Sequence, residues 1–201
     1  MAAITTLFWD IGGVLLTNAW DHEERDLATQ KFGLVKADFE VRHKELLVPL
    51  EEGKLTLEEY LERAVFYVPR PFSPKDFKEF MFSLSKPKPD VLELARQLAK
   101  NYPMWAINNE SRELNQYRIQ AFALREIFTG FVSSCYVGAR KPDPRIYRIG
   151  LDVSQRMVSE CCFIDDRPVN VESASRAGMK TILMQSTGQL QQELQRMGIK
   201  L

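Results

Sequence analysis

Five short apolar runs separated by stretches of helical periodicity constrain this chain more than any other feature. They occupy residues 6–10, 104–108, 130–134, 161–165 and 180–184, and each reads as a strand buried on both faces. From the second run onward a helical pattern comes first. Residues 89–100 carry Val91, Leu92, Leu94, Ala95 and Leu98 at helical spacing, and 113–128, 144–151 and 168–177 behave similarly. Such alternation predicts an α/β fold, a Rossmann-like three-layer arrangement around a parallel sheet.

Residues 17–85 break the alternation. Only helical segments are read there, at 23–32, 36–47, 56–66 and 74–83, so an all-helical insertion after the first strand is expected. Pro69, Pro71, Pro87 and Pro89 punctuate its last part and the return to the sheet. The expected organisation is a core of residues 1–16 and 86–201 with an insertion at 17–85.

A chain of 201 residues, 45% hydrophobic, can bury a substantial core. Its 27 Lys+Arg balance 27 Asp+Glu, so no overall field draws it to nucleic acid or an anionic membrane, and any anion must be captured locally. The first ten residues lack the basic start and long apolar stretch of a signal peptide, and no apolar run is long enough to span a bilayer. A cytoplasmic location is the expectation. Cys161 and Cys162 are adjacent in an apolar strand, so with Cys135 they read as reduced packing residues, not a disulfide or zinc site.

In an open parallel sheet, ligands bind at the carboxyl ends of the strands. The first strand ends in Asp10-Ile11-Gly12-Gly13, the second in Asn108-Asn109 and the fourth in Asp165-Asp166, while Lys141 precedes a helix start at Pro144. Three acids and a lysine converging there suit a hard cation with a phosphate. The glycines let the backbone approach an anion, and N–H groups in such a turn can cradle phosphoryl oxygens. Taken singly, each feature is more often a turn, a helix cap or a solvated lysine. Their joint position at matching strand ends favours function.

With these residues in view, essentially the whole chain resembles the haloacid dehalogenase-like superfamily, in particular its subfamily IA, with a helical cap after strand one and a paired-aspartate fourth motif. Phe8-Trp9-Asp10-Ile11-Gly12-Gly13-Val14-Leu15 looks like the first motif and Asn108-Asn109 falls where the second does. Arg140-Lys141-Pro142-Asp143-Pro144 resembles the third, and Phe163-Ile164-Asp165-Asp166-Arg167-Pro168-Val169-Asn170 the fourth. The resemblance implies a Mg²⁺-dependent phosphohydrolase working through an aspartyl-phosphate on a small phosphomonoester such as a sugar phosphate. It implies Asp10 as nucleophile and metal ligand, the Gly12 carbonyl and Asp166 as further ligands, and Asp165 beside the ion. Lys141 would hold the nucleophile and phosphate charges together, with Ile11, Gly12, Gly13, Asn108 and Asn109 around the phosphate.

Two positions depart from the pattern. The family's phosphatases carry a second aspartate two residues after the nucleophile as general acid–base, and here that position is Gly12. A positioned acid–base contributes roughly 10²–10⁴ in rate, so slow turnover is expected unless another residue substitutes. Asn108 replaces the second motif's hydroxyl residue, with a longer side chain that can still donate. His22, Glu23 and His43 in the insertion are proton-donor candidates by chemistry, and Arg42 and Lys44 candidates for holding an anion, against a default of packing or solvation. The aromatic group Phe66, Tyr67, Phe72, Phe77, Phe80 and Phe82 reads as packing.

Two alternatives stand beside the phosphohydrolase. A metal-independent dehalogenase would use Asp10 on carbon, although paired carboxylates near a nucleophilic carboxylate repel without a cation. A catalytically weak or silent phosphate- or partner-binding protein would follow if Gly12 and Asn108 mark an eroded site. A monomer and a homodimer are both compatible with the sequence.

Overall fold

The computed structural model describes residues 3–201; the first two residues of the expected core segment lie outside them. Five strands, β1 (Thr6–Trp9), β2 (Met104–Asn108), β3 (Gly130–Ser133), β4 (Cys161–Asp165) and β5 (Lys180–Leu183), form one parallel sheet in the order β3-β2-β1-β4-β5. Each central strand is buried on both faces, and the two-residue side-chain period divides it between them. Leu7, Trp9, Cys162 and Ile164 join one apolar cluster, while Phe8, Cys161 and Phe163 join another on the opposite face. All three cysteines are free and buried.

Helices cover both faces. α1 (His22–Phe32), α2 (Lys36–Glu51), α3 (Leu57–Ala64) and α4 (Pro74–Ser83) fill the stretch between β1 and α5 (Pro89–Ala99). They are followed by α6 (Arg112–Ala121), α7 (Ser134–Val137), α8 (Pro144–Ser154), α9 (Pro168–Arg176) and α10 (Thr187–Arg196). The starts are locally encoded: Asp21/Glu24, Thr56/Glu59 and Ser73/Asp76 make capping boxes, and Pro74, Pro89, Pro144 and Pro168 stand where a helix's first N–H has no partner to lose.

The four inserted helices surround an apolar cluster that includes Trp20, Phe39, Tyr60, Phe77 and Met81, and it reaches the sheet layer through Leu114 of α6. The chain leaves and re-enters the sheet layer through two paired linkers: Thr17 N donates to the Lys86 carbonyl at 2.9 Å, and Lys88 N to the Leu15 carbonyl at 2.9 Å.

The structure differs from the sequence expectations at several boundaries. The helix expected over 113–128 stops at Ala121, because Ala123 adopts φ 51° and the chain turns, letting Leu124, Ile127 and Phe128 pack into the core cluster. Helical spacing of apolar residues persisted across a break that tertiary packing imposes. Ser134 begins α7 and does not end β3, and α2 runs through Pro49 to Glu51. α10 had no counterpart in the sequence reading; Leu190 and Leu194 bury it. Among the described residues no helix is long and apolar enough to cross a membrane.

The strand order reverses at β1, whose neighbours are β2 and β4, so a crevice opens at the carboxyl ends of β1 and β4. If β1 is the centre of this sheet, Leu7→Ala, at a fully buried position, is expected to cost about 2–5 kcal/mol in urea unfolding. Val35→Ala, on the exposed end of an inserted helix, should shift it by no more than about 0.5 kcal/mol. Equal effects would contradict this placement of the core.

Candidate active site

The β1–β4 register pairs Trp9 with Ile164, so the next residues, Asp10 and Asp165, emerge side by side at the crevice. Asp10 N donates to the Ile164 carbonyl at 2.9 Å, extending the ladder by one step. Lys141, on the loop between α7 and α8, inserts its ammonium between the two carboxylates: Nζ lies 2.8 Å from Asp10 Oδ2 and 2.6 Å from Asp165 Oδ2. The ring of Phe163 lies beneath it, 5.5 Å from Nζ. The loop is fixed from β2's end, where Asn109 clasps the lysine backbone: Lys141 N donates to Oδ1 at 2.7 Å, and Nδ2 donates to the Lys141 carbonyl at 2.9 Å.

Asp165 and Asp166 have different surroundings. Both Asp165 oxygens are engaged: Oδ1 accepts from Arg167 N at 2.8 Å and Asn170 Nδ2 at 3.0 Å, and Oδ2 accepts from Lys141. Asp166 Oδ1 is buried without a partner among the described residues. Gly13 makes room for it, since a Cβ there would stand 2.1 Å from Asp166 Oδ2, and its φ of 78° also favours glycine. Asp10, Asp165 and Asp166 offer oxygens within 4.8 Å of one another. An all-oxygen donor set with an orphaned carboxylate oxygen fits a small hard dication.

The charges show the same strain. Burial pushes the Asp10 carboxyl up to about 7 against the opposing pull of Lys141. Burial and the adjacent Asp165 also raise Asp166. For Lys141, burial alone would lower the ammonium, but Asp10 and Asp165 hold it above its usual value. One ammonium among three carboxylates leaves negative charge that a cation would offset.

A cavity of about 210 Å³ lies over these groups, between the sheet edge and the inserted helices. Asp10, Gly12, Asn109, Glu110, Arg118 and Lys141 line its floor and sides; Trp20, Arg25, Leu50, Glu51 and Met81 line it from the insertion. Two ion pairs tie insertion to core around it, Arg140 to Glu51 at 2.7 Å and Arg167 to Asp21.

Several sequence candidates fall elsewhere. Asn108 is turned away from the cavity into a closed ring, donating to Asn115 and accepting from Ser133, which satisfies its amide inside the core. The Ile11 N–H is taken by Asp10 Oδ1 at 2.7 Å and the Gly13 N–H by the Leu16 carbonyl at 2.8 Å, so neither is free to cradle an anion. His22 and Glu23 side chains are 74% and 83% exposed and away from the cavity. His43 is buried against the Tyr60 hydroxyl, and burial lowers it to about 4, so it is neutral near pH 7. Arg42 stacks on Tyr67, which is exposed, as is Lys44; Phe66, Phe72, Phe77 and Phe80 pack within the insertion, and Phe82 stacks on Tyr117 of α6.

The sequence reading missed Glu110, Arg118 and Trp20. Glu110 directly follows the strand-end pair Asn108-Asn109, and Arg118 shares the buried face of α6 with Leu114 and Ile119, an unusual place for an arginine.

A family model described as haloacid dehalogenase-like hydrolase matches residues 4–178. A chloroplast flavin mononucleotide hydrolase 1 from Arabidopsis thaliana is 31% identical over 92% of this chain and 78% of its own length. Bifunctional epoxide hydrolase 2 from Sus scrofa is 26% identical over 99% of this chain, which spans only 40% of that protein. A HAD family enzyme from Bacteroides thetaiotaomicron superposes with a TM-score of 0.81 at 21% identity, covering 92% of this chain and 95% of its own. Its complex with magnesium and inorganic phosphate gives 0.75 at 20% identity, over 91% and 95%.

The raised carboxyls carry a pH signature. Their folded-state values exceed their unfolded ones, so stability contributed by the protonated forms is present at low pH and lost as pH climbs from 3.8 toward about 7 for Asp10. A cation must displace those protons. Mg²⁺ is therefore expected to raise the melting temperature more at pH 8 than at pH 5; a larger shift at pH 5 would exclude the carboxylate cluster as its site.

Proposed function

The chain belongs to the haloacid dehalogenase-like hydrolases, and on that premise we propose that it is a Mg²⁺-dependent phosphohydrolase acting on a small phosphomonoester such as a sugar phosphate. One observation carries the reading: the Lys141 ammonium bridges Asp10 and Asp165, with Asp166 within reach of both carboxylates, and Asp10 and Lys141 line one cavity. A dehalogenation at carbon gives no reason to gather three carboxylates within 4.8 Å.

In this reading an Asp10 oxygen attacks phosphorus, the bond to the leaving oxygen breaks, and an aspartyl-phosphate forms. Water then attacks phosphorus, releasing phosphate and restoring the carboxylate. Lys141 orients Asp10 and balances charge on the phosphoryl group. Asp10, Asp166 and the Gly12 carbonyl would hold Mg²⁺, with Asp165 supporting them, and the ion would supply neutralisation of the phosphoryl oxygens. One amide hydrogen of Asn109 remains for the phosphoryl group once the other is given to Lys141.

Residues 17–85 serve as a cap on a core of 1–16 and 86–201, excluding water over the reacting groups. The 210 Å³ cavity is smaller than the roughly 300–1,000 Å³ of drug-sized sites, which favours a compact substrate. The Arabidopsis relative is named for flavin mononucleotide, and a substrate of that size would require the cap to open. The Bacteroides enzyme's complex with magnesium and phosphate supports the same ligand class here.

The test is phosphate release from p-nitrophenyl phosphate and a panel of sugar phosphates. Activity is expected to depend on Mg²⁺ and to fall to background in Asp10→Asn. Binding of Mg²⁺ and inorganic phosphate without turnover on any ester would instead support a silent binder, a reading that the missing carboxylate at Gly12 favours.

A further inference from the structure

Displacement at phosphorus by Asp10 needs a proton for the departing oxygen and then a base for the attacking water. Gly12 offers neither; beside it stand the Arg118 guanidinium and the Asn18 side chain, whose Oδ1 would lie 3.6 Å from a Cβ there. A Cβ at Gly12 would stand 3.5 Å from Nη1 and 3.8 Å from Nη2 of that guanidinium. Nη1 donates to Glu110 Oε2 at 2.9 Å, and Nη2 donates to the Thr17 carbonyl. The other Glu110 oxygen accepts from Ser111 N at 2.9 Å, and the Glu110 backbone N–H is held by Ser134 Oγ at 3.0 Å. A carboxylate from the end of β2 is thus anchored one guanidinium away from the position that lacks one.

The other acids near the cavity, Asp166 apart, are also held by partners, but each has a different place in the phosphohydrolase reading or sits on the side of the inserted helices. In that reading Asp10 is the nucleophile and Asp166 a metal ligand, Asp165 accepts from Lys141, Asn170 and Arg167, and Asp21 pairs with Arg167. Glu51 is clasped by Arg140 on the cap side. Around Glu110, two further polar atoms, Ser111 Oγ and Arg118 Nε, are buried without a partner among the described residues. Both residues line the cavity, and a ligand oxygen would satisfy them.

We propose that Glu110 is the catalytic residue that transfers protons in phosphoester hydrolysis, with Arg118 as its positioning residue, in place of a carboxylate at Gly12. The proposal rests on the phosphohydrolase reading. In the first step the Glu110 carboxyl gives its proton to the leaving oxygen as the P–O bond breaks and Asp10 bonds to phosphorus. In the second, the Glu110 carboxylate takes a proton from water as its oxygen attacks phosphorus and the Asp10–phosphorus bond breaks. Glu110 ends as it began, and alcohol and phosphate leave. The groups facing it are Arg118 from α6, Glu51 from α2 and Cys135 from α7; burial pushes Glu110 up to about 7 despite Arg118, so both protonation states are populated near neutrality.

The test compares kcat/KM for p-nitrophenyl phosphate, whose leaving group needs no proton, with that for glycerol phosphate, whose leaving group does. In Glu110→Gln the glycerol ester is expected to lose about 10²–10⁴-fold and the nitrophenyl ester far less. The latter should show a burst of nitrophenolate, because water attack on the aspartyl-phosphate has lost its base. At saturating Mg²⁺, which displaces the Asp10 proton, the limb of the wild-type pH profile near 7 should vanish. Gly12→Asp in the Glu110→Gln background should restore the glycerol ester. Glu110→Asp, which keeps a shorter carboxyl, gives an intermediate loss and covers the case in which the glutamine variant does not fold. Equal losses on both esters, an unchanged pH limb, or a leaving-group dependence that follows Glu51→Gln would overturn the proposal. A wild-type protein inactive on both esters would instead sink the phosphohydrolase reading beneath it.

Discussion

The Lys141 ammonium, 2% exposed and shared between Asp10 and Asp165, is the interaction on which the site's arrangement depends. Two carboxylates at adjacent strand ends follow unavoidably from the β1–β4 register, and burying both without compensation would be costly. Removing one partner of a buried pair typically costs about 3–5 kcal/mol because the other charge is left stranded. The fold therefore recruits three separate strand ends to place one side chain: β2 supplies Asn109 to fix the loop, β4 supplies Asp165 and the Phe163 ring, and β1 supplies Asp10. With Asp165 saturated, the uncompensated charge is concentrated on Asp166, where Gly13 leaves space for it.

The inserted helices are tied to the core by ion pairs that differ in exposure. Arg140 and Arg167, which grip Glu51 and Asp21, are the sequence neighbours of Lys141 and Asp166. The Arg167 and Asp21 side chains are 52% and 31% exposed, and a pair so solvated is worth about 0–1 kcal/mol. The Arg140–Glu51 pair is more enclosed, with side chains 29% and 17% exposed. Trp20, Phe39, Tyr60 and Phe77 share one apolar cluster with Leu114 of α6, so apolar packing as well as ion pairs joins the inserted helices to the core.

The legible part of the sequence was whatever strand periodicity dictates. Five strands within a residue of their bounds, and the convergence of Asp10, Lys141, Asp165 and Asp166, follow from where apolar runs end in a parallel sheet. Orientation was not legible in the same way. Asn108 occupies a strand end yet turns inward, because Asn115 on α6 and Ser133 on β3 complete its hydrogen bonds, and neither is implied by local sequence. The cap histidines were chosen by titration range alone, which says nothing about burial: His43 lies beneath Tyr60 and His22 in solvent. The 113–128 helix failed at Ala123, where apolar spacing continued but backbone direction did not.

The Glu110–Arg118 pair explains why a glycine at position 12 is compatible with an organised site. Arg118 is a single cation whose reach covers both positions: its Nη1 touches Glu110 at 2.9 Å and would touch a side chain at Gly12. Carboxylates at both positions would compete for that one guanidinium in a desolvated corner, and the loser would be a buried, unpaired charge close to Asp10. A single carboxylate avoids this conflict. Glu110 follows the end of β2, while the Asp10 loop closes separately, Gly13 N donating to the Leu16 carbonyl and Lys88 donating to the Gly13 carbonyl. In the proposed mechanism the glycine and the glutamate are one feature, a single carboxylate held by the guanidinium that reaches both positions.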